Sequence, residues 1–379
     1  MKICVISGIA PSSQNPMAGI FILNRVYEYK KENDVNFIVP KSCLSNNKQN
    51  SYIFNNVKIT YLSYLKLFHD PNIVNKYFFT KCIKKYIKNN RPDVIVSHNL
   101  TLGHYILKLV KRYNIKVIQF YHGSEIHTLA LKNKTFRKMA KDLLENVDGN
   151  FFVSNDLLLK AKNITNKINN YFISNNGINT EIFRSYSKED LALINSIINK
   201  ENKYTFGFIG HFKYIKGFDM IPSIIDELSK LIDISKIKLI IIGKGELKDK
   251  VIDNLKNKNI DFSVFDAMKQ SELAKYLNCI DTVIMPSRNE GFPCLIREAL
   301  ACGCHILASD VGGIKEAAFS EKSKIISFDN DFIKNFSKAM AFNFNQNKKN
   351  ISLNEEIIKQ FSWQNIARNE LKIIKDLLE

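Results

Sequence analysis

Proline and glycine are scarce in this chain and tryptophan is nearly absent: 379 residues hold 8 Pro, 15 Gly and 1 Trp. That excludes collagen-like and low-complexity disordered chains. Long apolar runs are missing too. Stretches such as Lys238-Leu-Ile-Ile-Ile-Gly243 are strand-sized, far short of the roughly 20 apolar residues of a spanning helix. The first apolar stretch, Ile3–Ser7, is too short for a signal-peptide core and no small-residue cleavage site follows it, so a cytoplasmic protein is expected. The 7 cysteines are odd in number and include no Cys-x-x-Cys pair. A disulfide scaffold is excluded, and reduced, mostly buried thiols are expected. Cys302-Gly-Cys304 is too close for the usual zinc spacing.

What the chain does have is an ordinary globular mixture, 45% apolar and 24% charged. At about 150 residues per domain, its length predicts two or three domains. Its charge is unevenly spread. Lys plus Arg exceed Asp plus Glu by 55 − 37 = +18. Residues 1–185 carry 27 basic and 11 acidic side chains (+16), and residues 186–379 carry 28 and 26 (+2). A general lysine bias would spread evenly. The asymmetry points to a polyanion or an anionic membrane surface facing the N-terminal half.

Short β-branched runs alternate with longer amphipathic ones. Strands are expected at Ile3–Ser7, Val35–Val39, Val57–Tyr61, Val94–Ser97, Val117–Tyr121, Asn150–Ser154 and Tyr171–Ser174. A second series covers Thr205–Ile209, Leu239–Ile242, Phe262–Phe265, Thr282–Met285, His305–Ala308 and Lys324–Ser327. Continuously apolar strands with helical crossovers indicate parallel sheets covered on both faces. The expectation is an α/β chain of two doubly wound, Rossmann-like domains facing an inter-domain cleft, residues 1–185 and 186–362, with a helical stretch over 363–379 at the end. Phe183–Lys200 reads as a linker and Asn343–Lys349 as a polar loop.

In such folds ligands bind at the carboxyl ends of strands, so the residues just after each strand matter most. Pro286-Ser-Arg-Asn-Glu290-Gly291-Phe292 follows one strand, and Glu298 lies inside the next helix. Both carboxylates could accept hydrogen bonds from sugar hydroxyls, and the Gly291 and Phe292 amides suit an anion near a helix N-terminus. Taken alone, the pair reads better as ordinary charges, Glu290 on a loop and Glu298 on a solvated helix face. Upstream, Gly210-His211 ends a strand, and Lys216-Gly217 follows it with a compact cation for phosphate. Gly243-Lys-Gly245 lacks the third glycine of the dinucleotide fingerprint.

The series Gly210…Lys216-Gly217, Gly243-x-Gly245, Glu272-Leu273, Pro286-Ser287…Glu290-Gly291…Glu298-Ala299, Gly312-Gly313…Glu316 resembles the nucleotide-sugar half of family 4 retaining glycosyltransferases, which have the GT-B fold. In the first half, Asp93–His98 and His122-Gly-Ser-Glu125 resemble that family as well. The resemblance spans essentially the whole chain and implies that the C-terminal helix over 363–379 packs back on the first domain. It implies that Glu290 binds the donor sugar and Glu298 the ribose. Lys216 would neutralise the diphosphate together with the Gly291 and Phe292 amides. Gly243 and Met268 would border the base, Gly210 and His211 would flank the donor, His122 would contact the transferred sugar and Gly19 would border the phosphates. His211 stands where the family usually carries arginine, so one fixed cation is lost, with Lys213 the nearest replacement. His122, Glu290 and Lys216 are the expected catalytic residues.

No Asp-x-Asp metal motif is read and no metal or other cofactor is expected. The resemblance implies a hexose or N-acetylhexosamine moved, with retention, from a nucleotide-sugar (UDP first among donors) to a growing lipid-linked saccharide of surface polysaccharide or glycolipid. Tyr61–Arg91 interleaves lysines with aromatics, which suits peripheral association with the inner face of an anionic membrane. No nucleic-acid motif is present. Two other readings are a sugar-nucleotide epimerase of similar fold and a non-catalytic membrane-associated binding module.

Overall fold

In a computed structural model of the chain, the described residues are 1–47, 49–199, 202–346 and 355–379. They form two compact units, residues 1–177 with 363–379, and residues 178–362. The division falls at 177/178 rather than 185/186. The reason is local: the Ile178 amide donates to Phe361 O at 2.8 Å. Asn278 also ties down the segment that follows, donating to Arg184 O at 2.9 Å and accepting from Tyr186 N at 3.0 Å.

In the first unit the strands are β1 (Lys2–Ile6), β2 (Asp34–Ser42), β3 (Ser51–Phe54), β4 (Val57–Tyr64), β5 (Val94–Ser97), β6 (Lys116–Tyr121), β7 (Gly149–Phe152) and β8 (Tyr171–Ile173). They line up as β3-β4-β2-β1-β5-β6-β7-β8. All neighbours are parallel except β3 and β4. The extra strand β3 comes from a tight hairpin: Asn55 and Asn56 both have positive φ, which suits a two-residue turn between antiparallel strands. The C-terminal helix Trp363–Leu378 buries Ala367, Leu371 and Ile374 in the core of this sheet.

Strands β9 (Tyr204–His211), β10 (Ile237–Lys244), β11 (Asp261–Phe265), β12 (Thr282–Met285), β13 (His305–Ser309) and β14 (Ser323–Ile326) make the sheet of the second unit, ordered β11-β10-β9-β12-β13-β14. Every described pair is parallel. The chain winds outward from β9 through β10 to β11, then returns to β12 on the other side of β9. Loops leaving β9 and β12 therefore diverge and open a crevice at the carboxyl edge of the sheet.

Two loop expectations are corrected. Within the expected linker, Lys188–Ile198 is a helix capped by Ser187, which accepts from Asp190 N at 3.2 Å. It buries Leu191, Ile194 and Ile198, a stripe blurred by the exposed Leu193 and Ile197 beside it. The first part of the expected polar loop, Asn343–Asn345, ends the helix Phe332–Asn345; residues 347–349 lie outside the described residues.

Candidate active site

The loop after β9 and the loop after β12 bring Lys216 and Glu290 together at the switch point of the second sheet. Lys216 Nζ lies 2.7 Å from both carboxylate oxygens of Glu290. Ser287 Oγ donates to Oε1 at 2.8 Å. Glu290 is buried, while Lys216 keeps part of its surface. Two glycines make this approach possible. A Cβ on Gly217 would stand 1.9 Å from Pro286 O, and one on Gly312 would stand 1.8 Å from Glu290 O. Their φ values of +70° and +55° are also those that L side chains avoid. Glycine thus locks the β12 loop against its neighbours on both sides. Arg288 braces the same loop, bonding Asp219 with both guanidinium nitrogens at 2.7 and 2.8 Å and lying 3.6 Å over the Tyr214 ring.

Glu298 sits within the helix Cys294–Ala301, for which Pro293 is the N-terminal cap. Its carboxyl is buried and accepts from Gln270 Nε2 at 3.1 Å. Burial pushes its pKa up to about 7, with the Gln270 bond opposing the rise. The Phe292 ring lies 4.5 Å from the Arg297 guanidinium, which also sits 4.1 Å over Phe361. Gly291 and Phe292 immediately precede this helix. Gly243 and Gly210 are register partners at the ends of β10 and β9, as are Lys244 and His211. His211 is exposed, and partial burial plus Lys216, Lys213 and Lys244 hold its pKa below the usual histidine value. Met268 is half-buried in the loop after β11.

In the first unit, Gly19 opens the helix Ile20–Tyr29 with φ 65°, and Phe21 of that helix packs on His122 at 4.7 Å. His122 follows β6. Glu125 Oε2 accepts from the amides of His122 at 3.3 Å and Gly123 at 3.1 Å. Burial, with the Arg25 charge as a lesser cause, pushes the imidazole pKa down to about 3.

Sequence reasoning missed Gln270 and Ser287 as the hydrogen-bond partners of Glu298 and Glu290. Gln270 carries no spacing signal, because its partner lies 28 residues away. The chain also contains one Asp-x-Asp spacing that the expectation of no such motif overlooks, Asp329-Asn-Asp331. It forms a turn, with Asp329 Oδ1 accepting from Asp331 N at 3.0 Å ahead of the helix Phe332–Asn345. Among the described residues no three His, Cys, Asp or Glu side chains are grouped to hold a metal ion, and no helix is long and apolar enough to cross a membrane.

Two Rossmann-like parallel-sheet units, the second with a lysine and two glutamates around its switch point, are the architecture of the GT-B fold. The sucrose-phosphate synthase of Thermosynechococcus elongatus superposes with a TM-score of 0.81 over 100% of this chain and 99% of its own, at 17% identity. HepE of Anabaena, solved with UDP, gives 0.75 over 99% and 100%, at 13% identity; it has also been solved with UDP-glucose. The family model of glycosyl transferases group 1 matches residues 191–360, and that of glycosyltransferase family 4 matches residues 30–181. The chain belongs to this glycosyltransferase family. An uncharacterized glycosyltransferase of Methanocaldococcus jannaschii is 24% identical over 387 residues, 97% of this chain and 98% of that one.

Proposed function

We propose that this protein is a retaining transferase that moves a hexose or N-acetylhexosamine from a UDP-sugar to a lipid-linked saccharide, without a metal ion. The Lys216–Glu290 pair at the switch point carries the reading. Lys216 and the Gly291 and Phe292 amides neutralise the leaving diphosphate, an electrostatic task. Glu290 accepts hydroxyls of the donor sugar, and Glu298 accepts those of the ribose. Gly210, His211, Gly243 and Met268 line the nucleotide. In the first unit, His122 contacts the transferred sugar and Gly19 the phosphates. The bond from the anomeric carbon to phosphate breaks while the bond to the acceptor oxygen forms on the same face, and the acceptor proton passes to the departing phosphate. The UDP and UDP-glucose held by HepE support the choice of nucleotide.

The acceptor reading rests on the basic half. The helix Ile73–Asn90 exposes Ile73, Tyr77, Lys81, Lys84, Lys85 and Lys88. These fall on one helical face, near exposed Leu67 and Phe68. The face is more basic than the sequence suggests, because Tyr64, Phe79, Ile83 and Ile87 are buried in the core instead. Lysines flanked by exposed apolar groups suit an anionic lipid surface where such acceptors lie.

The test is release of nucleoside diphosphate from UDP-, GDP- and ADP-sugars, with EDTA present and a membrane extract as acceptor source. Turnover is expected with UDP-sugar alone, and the product's anomeric configuration should match the donor's. Glu290→Gln should lower kcat by about a hundredfold or more. Silence with every donor, together with no nucleotide binding, refutes the reading.

A further inference from the structure

Two histidines, His98 buried and His122 half-buried, follow neighbouring strands of the first sheet. His98 follows β5 and His122 follows β6. His98 Nδ1 lies 2.9 Å from His122 Nε2. The ring centroids are 5.1 Å apart with planes at 21°. Phe120 stacks on His98 at 4.7 Å, and Phe21 packs on His122 at 4.7 Å. His98 is 5% exposed. The outer nitrogens, His98 Nε2 and His122 Nδ1, are buried and have no hydrogen-bond partner among the described residues.

A hydrogen bond between two imidazoles needs a proton on one nitrogen and a lone pair on the other. Burial keeps both rings neutral, and the charge of Arg25, from the helix Ile20–Tyr29, pushes the same way. Arg25 itself is held by Glu370 at 2.8 Å. Glu125 faces the backbone amide of His122 rather than its ring. With both rings neutral the tautomers are coupled. If His122 Nε2 donates, His98 must carry its own proton on Nε2, and His122 Nδ1 is an acceptor. If His98 Nδ1 donates, His122 must carry its proton on Nδ1. Neutral histidine intrinsically prefers the Nε2–H tautomer. Only the first arrangement gives that form to both rings.

We propose that His98 is a positioning residue: its Nδ1 accepts the Nε2–H of His122, fixes that ring's plane and tautomer, and leaves His122 Nδ1 as a hydrogen-bond acceptor for a hydroxyl. The role in turnover rests on the transferase reading; the hydrogen bond does not. His122 then serves as a fixed neutral acceptor and not as an acid. His98 itself touches no reacting atom.

Nitrogen-15 NMR of the full chain labelled at histidine reads each ring's tautomer directly. In the wild type, His98 and His122 should both show a protonated Nε2 and a bare Nδ1, unchanged between pH 6 and 8. In His98→Phe, which keeps a stacking ring, the His122 signals should move to tautomer-averaged positions. Its kcat should fall about tenfold, as for other residues that orient a functional histidine, with the donor KM nearly unchanged. His98→Asn places an amide oxygen near the position of Nδ1 and should restore both the single tautomer and most of the kcat. It also keeps the test open if the phenylalanine variant does not fold. A protonated Nδ1 on His122 in the wild type, or an unmoved His122 spectrum in His98→Phe, overturns the proposal. A wild type that turns over no nucleotide-sugar overturns the transferase reading, while the spectra still decide the pairing.

Discussion

Replacing Glu298 by Gln should stabilise the protein and weaken nucleotide binding, two effects of opposite sign from one buried carboxyl. Glu298 is 7% exposed and has a single hydrogen-bond donor among the described residues, Gln270. Burial raises its pKa from 4.5 to about 7. A folded-state value above the unfolded one means that the folded chain holds this proton more tightly. The stability gained is complete below about pH 4.5 and is lost as pH rises through about 7. Above that, ionising the buried group costs the fold about 3 kcal/mol. The glutamine side chain has nearly the same shape, never ionises and still accepts from Gln270. Glu298→Gln should therefore equal the wild type at pH 4.5 and exceed it by about 2–3 kcal/mol at pH 8. Urea unfolding followed by far-UV circular dichroism measures this; the only tryptophan, Trp363, lies in the first unit and would report the wrong transition. At pH 8 the same variant should bind UDP ten- to a hundredfold more weakly, the worth of a charge-assisted hydrogen bond of about 1.5–3 kcal/mol. Equal stability at pH 8 would refute the burial argument, and unchanged UDP affinity would remove Glu298 from the ligand's partners.

Gly312→Ala should cost about 1–3 kcal/mol of stability from its left-handed φ alone. Because the new methyl would meet Glu290 O, it should also raise the donor KM; an unaltered thermal midpoint would show that the β12 loop is not locked there. Glu370→Ala removes the counterion of Arg25, which is 0% exposed, and should cost about 3–5 kcal/mol. Trp363 fluorescence follows it well, since Arg25 lies 5.1 Å over that ring; a loss below about 1 kcal/mol contradicts the assignment. Changing Lys81, Lys84, Lys85 and Lys88 together to Gln should weaken binding to phosphatidylserine vesicles by about 1 kcal/mol per lysine, read by vesicle sedimentation. Binding equal to the wild type's would remove this helix from any membrane contact.

The parallel strands were legible because both faces of each are covered, so they read as unbroken apolar runs; Thr282–Met285 has the same limits in sequence and structure. The helix Lys188–Ile198 was not, because exposed Leu193 and Ile197 lie beside its three buried residues and blur the stripe. The short strand β3 is half-exposed, and its signal lay in the Asn-Asn turn rather than in its own residues. Lys216, Glu290 and Glu298 could be named from their places after strands. Their geometry could not, since Lys216 and Glu290 are 74 residues apart and only the order of strands brings them together. The helix Ile73–Asn90 misled in the other direction: Phe79, Ile83 and Ile87 turn inward while Tyr77 stays exposed, and composition alone does not show which face each takes.

The buried charges of this chain fall into two kinds, and the difference separates fold from function. Glu370 has Arg25 Nε at 2.8 and 2.9 Å, Tyr29 Oη at 2.6 Å and Ser174 Oγ. Asp281 likewise accepts from Thr205 N at 2.9 Å and Oγ1 at 2.8 Å. Such groups are held by several donors fixed in packed elements, so no exchange of partner is cheap. Among the described residues Glu290 has one short hydroxyl and one lysine whose side chain is still partly in solvent, and Glu298 has one amide. A flexible ammonium can leave for a phosphate while hydroxyls of a ligand take its place, which costs far less than opening a packed network. Carboxylates with few and replaceable partners therefore cluster at the switch point of the second sheet. There the diverging loops give room for a ligand, whereas carboxylates such as Glu370 and Asp281 are locked where the chain needs only to stay folded.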